Sequence, residues 1–398
     1  MAELHQINEP PRPPRAPSFS ALFSLGFRPL YIGGMAWGLV AIFIWVFVPD
    51  LISPQLGPLA WHAHEMLWGF IATIAVGFLL TAAATWTGVN PVQGRALAAL
   101  CGLWLVARLA YLAPGTAVLV VAILAETLFL SLAALALWRV IRKAKSHRNY
   151  GLPWLVLGLA IANLMFVNTA HQGNYNELMA AFQVGLVDMA VIALLVARRV
   201  IPFFAMRAIQ GLTLPMHTGS GQAQLALGLL AIITGLLGLP ALSGSALLLT
   251  GLIGVYQLLG WKPLAVMHRP ILWILYAGYA LLAAGLITAG AWQLDLLPAP
   301  WSRAAVPVHI IGMGGFSVLI IGMVTRTALG HLGRPLQLDR SMLISYSLML
   351  AAIFFRLSAL WPSAAYAPLL YLSGACWMGA MALYLWRFTP WLIRPRSS

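Results

Sequence analysis

Residues 61–84 read WHAHEMLWGFIATIAVGFLLTAAA. From Met66 to Ala84 there is no charged side chain in 19 residues, close to the ~20 apolar residues that a helix needs to cross a hydrocarbon core of about 30 Å. A transmembrane helix is the reading that fits. Its oddity is the head, where His62, His64 and Glu65 stand where an apolar segment ordinarily begins.

The rest of the chain repeats the apolar pattern. Over 398 residues, 61% are hydrophobic and 8% charged, with a mean hydropathy of +0.88, which excludes a water-soluble globule. About 12 spans are expected, near 30–48, 65–84, 95–113, 117–139, 152–170, 182–200, 224–240, 245–260, 271–288, 305–325, 342–358 and 368–387. The fold class is therefore all-α, a polytopic transmembrane helical bundle. Residues 21–390 form the single transmembrane domain, between a disordered N-terminal tail at 1–20 and a short C-terminal tail at 391–398. Breaks such as PDLISPQLGP at 49–58 and APGT at 113–116 separate the spans. Cys101 and Cys376 lie in distant apolar runs, so neither a disulfide framework nor a thiolate zinc site is indicated.

Charge orients this bundle. With a cytoplasmic N-terminus, 20 of the 23 basic residues fall on the inner side, among them the RVIRKAKSHR run at 139–148. Arg303 and Arg356 remain outside and Arg108 lies within a span. That asymmetry is what the positive-inside rule requires, and it places both termini in the cytoplasm. It also accounts for a pI near 10.5 through headgroup anchoring, with no basic stripe for nucleic acid.

The same topology gives each histidine a depth. His62, His64, His171 and His309 share the outer leaflet, whereas His147, His217, His268 and His331 fall on inner loops and His5 in the tail. Imidazole is a common ligand of haem iron and copper, and several spans can each supply one to a site inside a bundle. His62, His64, His171 and His309 are thus candidate ligands, with an interfacial pair satisfied by water as the alternative for the first two. Two residues apart, His62 and His64 point about 200° from each other on a regular helix, so both reach one site only if the helix begins after His62. Glu65 reads as a proton carrier or as the partner of a ligating imidazole; a solvated glutamate at a helix N-terminus is the alternative.

Three further features follow. In ANLMFVNTAHQGNYNE at 162–177, Asn163, Asn168 and His171 share a broad face that should meet protein or cofactor. Glu126 and Asp188 lie within spans, as proton relays or, protonated or paired with Arg108, as structural groups. In VPVHIIGMGGFSVLIIGMVTRTALGHLGRP at 306–335, Gly312, Gly314 and Gly315 leave room beside His309 for a flat macrocycle or a close helix. His331 is 22 residues on, about 33 Å along a helix, so it belongs to a separate inner site. Arg326 and Arg334 flank it and suit haem propionates or another anion, or simply anchor an inner loop.

Together, FRPLYI at 27–32, WHAHEMLWGF at 61–70, GFLLTAAATWTG at 77–88, LWLVARLA at 103–110 and VTRTALGHLGRP at 324–335 resemble the NnrS family of haem- and copper-containing bacterial membrane proteins linked to nitric oxide. The resemblance implies a multi-pass inner-membrane protein holding non-covalent haem b and copper, with nitric oxide as its small-molecule partner in denitrification or nitrosative stress. It departs at LYAGY, 275–279, where Tyr276 stands at a position expected to carry histidine more often. An oxidoreductase of nitric oxide reductase type, drawing on an external electron donor, is one expectation. The alternatives are a multi-span transporter or metal permease, and a sensor that holds haem without turnover.

Overall fold

Proline and glycine punctuate the chain where its helices start and stop. The structure, a computed structural model, describes residues 16–396; of the tail expected at 1–20, residues 1–15, with His5, Arg12 and Arg15, lie outside the described residues, as do 397–398, while Phe19–Leu22 forms a short helix. The long helices are α1 Phe27–Phe47, α2 Gly57–Thr87, α3 Gly94–Ala110, α4 Thr116–Lys143, α5 Gly151–Gln172 and α6 Tyr175–Ala208, followed by α7 Thr218–Leu236, α8 Pro240–Gly260, α9 Pro270–Gln293, α10 Ala305–His331, α11 Arg340–Ala359 and α12 Tyr366–Leu392. Proline occupies the first turn of α2, α8 and α9, where a missing N–H costs nothing. Gly88 and Gly173 close α2 and α5 in the left-handed conformation. Asn174 and Asp339 cap α6 and α11 by accepting backbone N–H groups.

All regular structure among the described residues is helical, and 11 of these helices are long and apolar enough to cross a membrane. The difference from 12 is α3, whose 17 residues span only about 25 Å at 1.5 Å per residue. Several spans also outrun their hydropathy limits. Arg139, Arg142 and Lys143, read from sequence as part of a loop, form the last turns of α4, where cations complement the helix dipole.

Neighbouring helices pack in chain order from α3 to α10, while α11, α12 and α1 form a second run joined to α2. Within α2, 83% of the most apolar window is buried in protein, against 28% for α7. This makes α2 the central helix. Close approach elsewhere rests on small residues: a side chain at Gly290 would meet the Gly244 carbonyl at 2.5 Å, and one at Gly251 the Ala283 carbonyl at 2.6 Å, so α8 and α9 pack almost backbone to backbone.

Two spans are wound irregularly. From Glu65 to Ala72 in α2, and from Ile310 to Ser317 in α10, the backbone widens to π-helix. At the end of each, a hydroxyl reaches back to a loosened carbonyl: Thr73 donates to Gly69 O at 2.9 Å and Ser317 donates to Gly312 O at 2.9 Å. The two widened segments touch. Such bulges occur often at functional sites, since an extra residue per turn re-aims the side chains on either side.

Candidate functional site

Helix α2 begins at Gly57, before the first histidine of WHAHEM. Helical geometry therefore sends His62 and His64 to opposite sides, and two different environments result.

His62 faces a cavity of about 160 Å³ that is also lined by His309 and Arg356, with apolar walls that include Trp45, Phe182 and Trp377. The His62 ring stacks on Trp45 at 3.9 Å between centroids, and its Nδ1 is buried without a partner. His309 lies at the start of the widened segment of α10. Its Nδ1 is 2.7 Å from Ala305 O, so that nitrogen carries the proton and Nε2 holds the lone pair. Arg356 Nε donates to that Nε2 at 3.0 Å, while Arg356 NH1 is buried without a partner.

One turn from each histidine stands a thioether. Met66 follows His62 by four residues, Met313 follows His309 by four, and both line the same cavity. Two imidazole and two thioether side chains thus line one cavity. The sequence carried the signal as H-x-x-x-M at 62–66 and again at 309–313, and reading histidines alone passed over it.

His64 enters a sealed polar cluster instead. His64, Glu65, Arg108 and Glu126 are fully buried. His64 Nδ1 lies 2.8 Å from Glu65 Oε1, and its Nε2 lies 2.7 Å from Asn163 Nδ2. Arg108 donates to Glu65 Oε2 at 2.6 Å and to Glu126, and Trp37 Nε1 donates to Glu65 Oε2 at 2.5 Å. Gly69, in the widened segment, makes room for this: a Cβ there would lie 2.5 Å from both Arg108 NH1 and Glu65 Oε2. Two carboxylates face one guanidinium, so the cluster has an excess negative charge that a single proton shared with His64 would balance.

The four outer histidines of the sequence reading are thus divided. His62 and His309 share the cavity; His64 has both ring nitrogens engaged with protein; His171, like Asn168, is exposed near the end of α5 and lines no part of the cavity. Of the Asn163–Asn168–His171 face, only Asn163 is buried. Asp188 is buried against Gly158, with Oδ2 lacking a partner. Tyr276 donates to Trp261 O at 3.1 Å, away from the cavity. At the other end of α10, Arg326 and His331 line a separate cavity with Arg199, whereas Arg334 stacks on Trp391 at 3.6 Å and does not reach it.

The model of the NnrS protein family matches residues 21–396. The chain belongs to the NnrS family. It is a multi-pass membrane protein of a family described as containing haem and copper and linked to the nitric oxide response. No curated protein matches it in sequence. Among the described residues no group of three or more His, Cys, Asp or Glu side chains is placed to hold a metal ion. Thioethers are soft, neutral donors that favour copper(I), and imidazole also suits copper. The cavity is small beside the roughly 300–1,000 Å³ of ordinary organic-ligand pockets, which suits an ion and a diatomic better than a macrocycle.

Proposed function

We propose that this protein is a haem- and copper-binding protein of the bacterial inner membrane that acts on or protects against nitric oxide, with its copper held between the two widened helical segments. The observation that carries this reading is that His62, Met66, His309 and Met313 all line one largely apolar cavity. His62 offers a buried nitrogen without a partner, and His309 is fixed in the tautomer whose Nε2 lone pair a metal can take from Arg356. Its Nδ1–H bond to Ala305 O is the outer-shell contact that ligating imidazoles ordinarily make. Bound copper would supply redox chemistry and affinity for nitric oxide.

The protein's own residues do the rest. Nitric oxide is small and neutral, and the cavity's apolar walls admit it while keeping bulk water scarce. Arg356 projects a cation into that space and holds His309 Nε2 until a metal displaces it. Directly behind, on the opposite face of α2, the cluster of His64, Glu65, Arg108 and Glu126 holds a proton, and Glu65 is the carrier we assign to the site. Reduction of nitric oxide would draw electrons from an external donor. The positive-inside distribution supports cytoplasmic termini, which puts the copper cavity at the outer side of the membrane.

Metal analysis and absorption spectra of the purified protein, wild type against His62→Ala and His309→Ala, test the site: copper should fall in both. Unchanged copper in both variants overturns it. A nitric oxide electrode with added reductant then separates turnover, in which consumption exceeds the protein present, from stoichiometric binding by a sensor; a metal permease would instead move copper in proteoliposomes.

A further inference from the structure

A cavity of about 590 Å³ lies at the opposite end of the bundle, between the last turns of α2, α6 and α10. Arg148, Arg199 and Arg326 line it, and among the described residues no acidic side chain does. Arg199 is held in place by Asn149 and by the Arg148 carbonyl at 2.7 Å, so its guanidinium is oriented and its charge is not neutralised. Arg326 is 6% exposed, yet its Nε and NH1 have no hydrogen-bond partner among the described residues. Its guanidinium rests on the Phe204 ring at 3.7 Å from the centroid. A buried guanidinium without a counter-charge is costly, and one stacked on an aromatic face keeps its in-plane donors available to a planar or tetrahedral oxyanion.

The remaining walls combine aromatic rings with aliphatic and threonine side chains. Phe78, Trp86 and Phe203 line the same space, and His331 and Gly330 close it. A lining that combines cations with aromatic rings describes an amphiphilic ligand. The volume lies within the range of organic-ligand pockets, unlike the copper cavity.

We propose that this cavity binds an oxyanion, carboxylate or phosphate, carried on an apolar body, with Arg326 as its principal contact and Arg199 and Arg148 completing the charge. Two sources share this chemistry: the propionate edge of the non-covalent haem, with His331 as a candidate ligand, and the head group of an anionic phospholipid. For its haem source the proposal rests on the family's haem; it does not rest on the copper site, which lies on the far ends of α2 and α10.

The full-length protein, purified in neutral detergent, decides between them. Haem absorbance per protein is measured for wild type, Arg326→Gln, Arg326→Lys and His331→Ala. Thermal midpoints of delipidated protein are then followed with added phosphatidylglycerol, with phosphatidylcholine as control. Loss of haem in Arg326→Gln and His331→Ala, with the thermal midpoint of the haem-free protein unchanged, supports the haem source. Retained haem together with stabilisation by phosphatidylglycerol that Arg326→Gln weakens by about tenfold or more, the loss of a charge-assisted contact, supports the lipid source. Arg326→Lys keeps the charge without the fork and should fall between, while Arg269→Gln, an exposed arginine outside the cavity, should behave as wild type. Haem retained in all variants, with equal response to both lipids or a phosphatidylglycerol response that survives Arg326→Gln, overturns the proposal.

Discussion

His309 accepts a hydrogen bond from Arg356 on the nitrogen that would bind a metal. The Nε–Nε2 distance is 3.0 Å, and the other ring nitrogen is committed to Ala305 O at 2.7 Å. Metal binding therefore competes with an existing contact. Removing the competitor should help: Arg356→Met is expected to raise copper(I) affinity by about tenfold, the worth of a hydrogen bond to a charged group. Competition against a copper(I) chelator measures it. Affinity that is unchanged, or that falls as His309→Ala does, would mean Arg356 is not in the way.

The thioethers make a second prediction. Leucine nearly matches methionine in volume and packs in its place, so Met66→Leu and Met313→Leu should leave folding intact, while the double variant binds copper(I) at least tenfold more weakly. X-ray absorption of the copper-loaded protein should show sulfur scattering in the wild type and none in the double variant. Sulfur scattering that persists there would place the thioethers outside the coordination sphere.

In the sealed cluster the expected effect is on stability. Arg108→Met leaves Glu65 and Glu126 facing each other without a cation, and removing one partner of a buried ion pair costs about 3–5 kcal/mol. Gly69→Ala should act in the same direction, because its methyl group displaces Arg108 NH1 and Glu65 Oε2 at once. Adding Glu126→Gln to Arg108→Met should recover part of the loss. Thermal unfolding of the detergent-solubilised protein reports all three, and an Arg108→Met midpoint equal to wild type would contradict the ion-pair account.

Asp339 gives a pH dependence outside the membrane spans. Burial pushes its carboxyl upward, but the Ser341 hydroxyl, the Met342 N–H and Arg387 together outweigh burial and hold it below its ordinary value. Its contribution is therefore complete above the unfolded value of about 3.9 and is lost as pH falls through the lower folded value. Asp339→Asn retains the helix cap and removes the charge, so it should melt below wild type at neutral pH and converge with it in acid. A gap that stays constant down to pH of about 3 would remove Asp339 from the account.

Much of the architecture was legible because a bilayer imposes length and apolarity on each span, and both are local properties of sequence. The span containing WHAHEM, the Gly-rich span after His309 and the segregation of arginines toward one set of helix ends could all be read that way. Arg108 and Glu126 were recognisable as charges inside spans, but their pairing was one of several open readings. Eighteen residues and one inter-helix turn separate them, and only the docking of α3 on α4 against α2 makes them partners. The placement of His171 was hidden for the same reason: its depth matched the other histidines, but depth does not specify which way a side chain points, and its face of α5 is exposed.

By itself, then, the sequence determined a helical multi-span membrane protein and carried the motifs of its family, since composition, period and motif are written residue by residue. Only the tertiary structure decided what the two histidines of WHAHEM do. Because α2 begins at Gly57, 200° of helical rotation sends His62 toward His309 and the two methionines, and His64 toward Glu65, Arg108 and Glu126. Which side becomes a cavity and which a sealed ionic cluster depends on the helices packed against each face, and no local pattern encodes that.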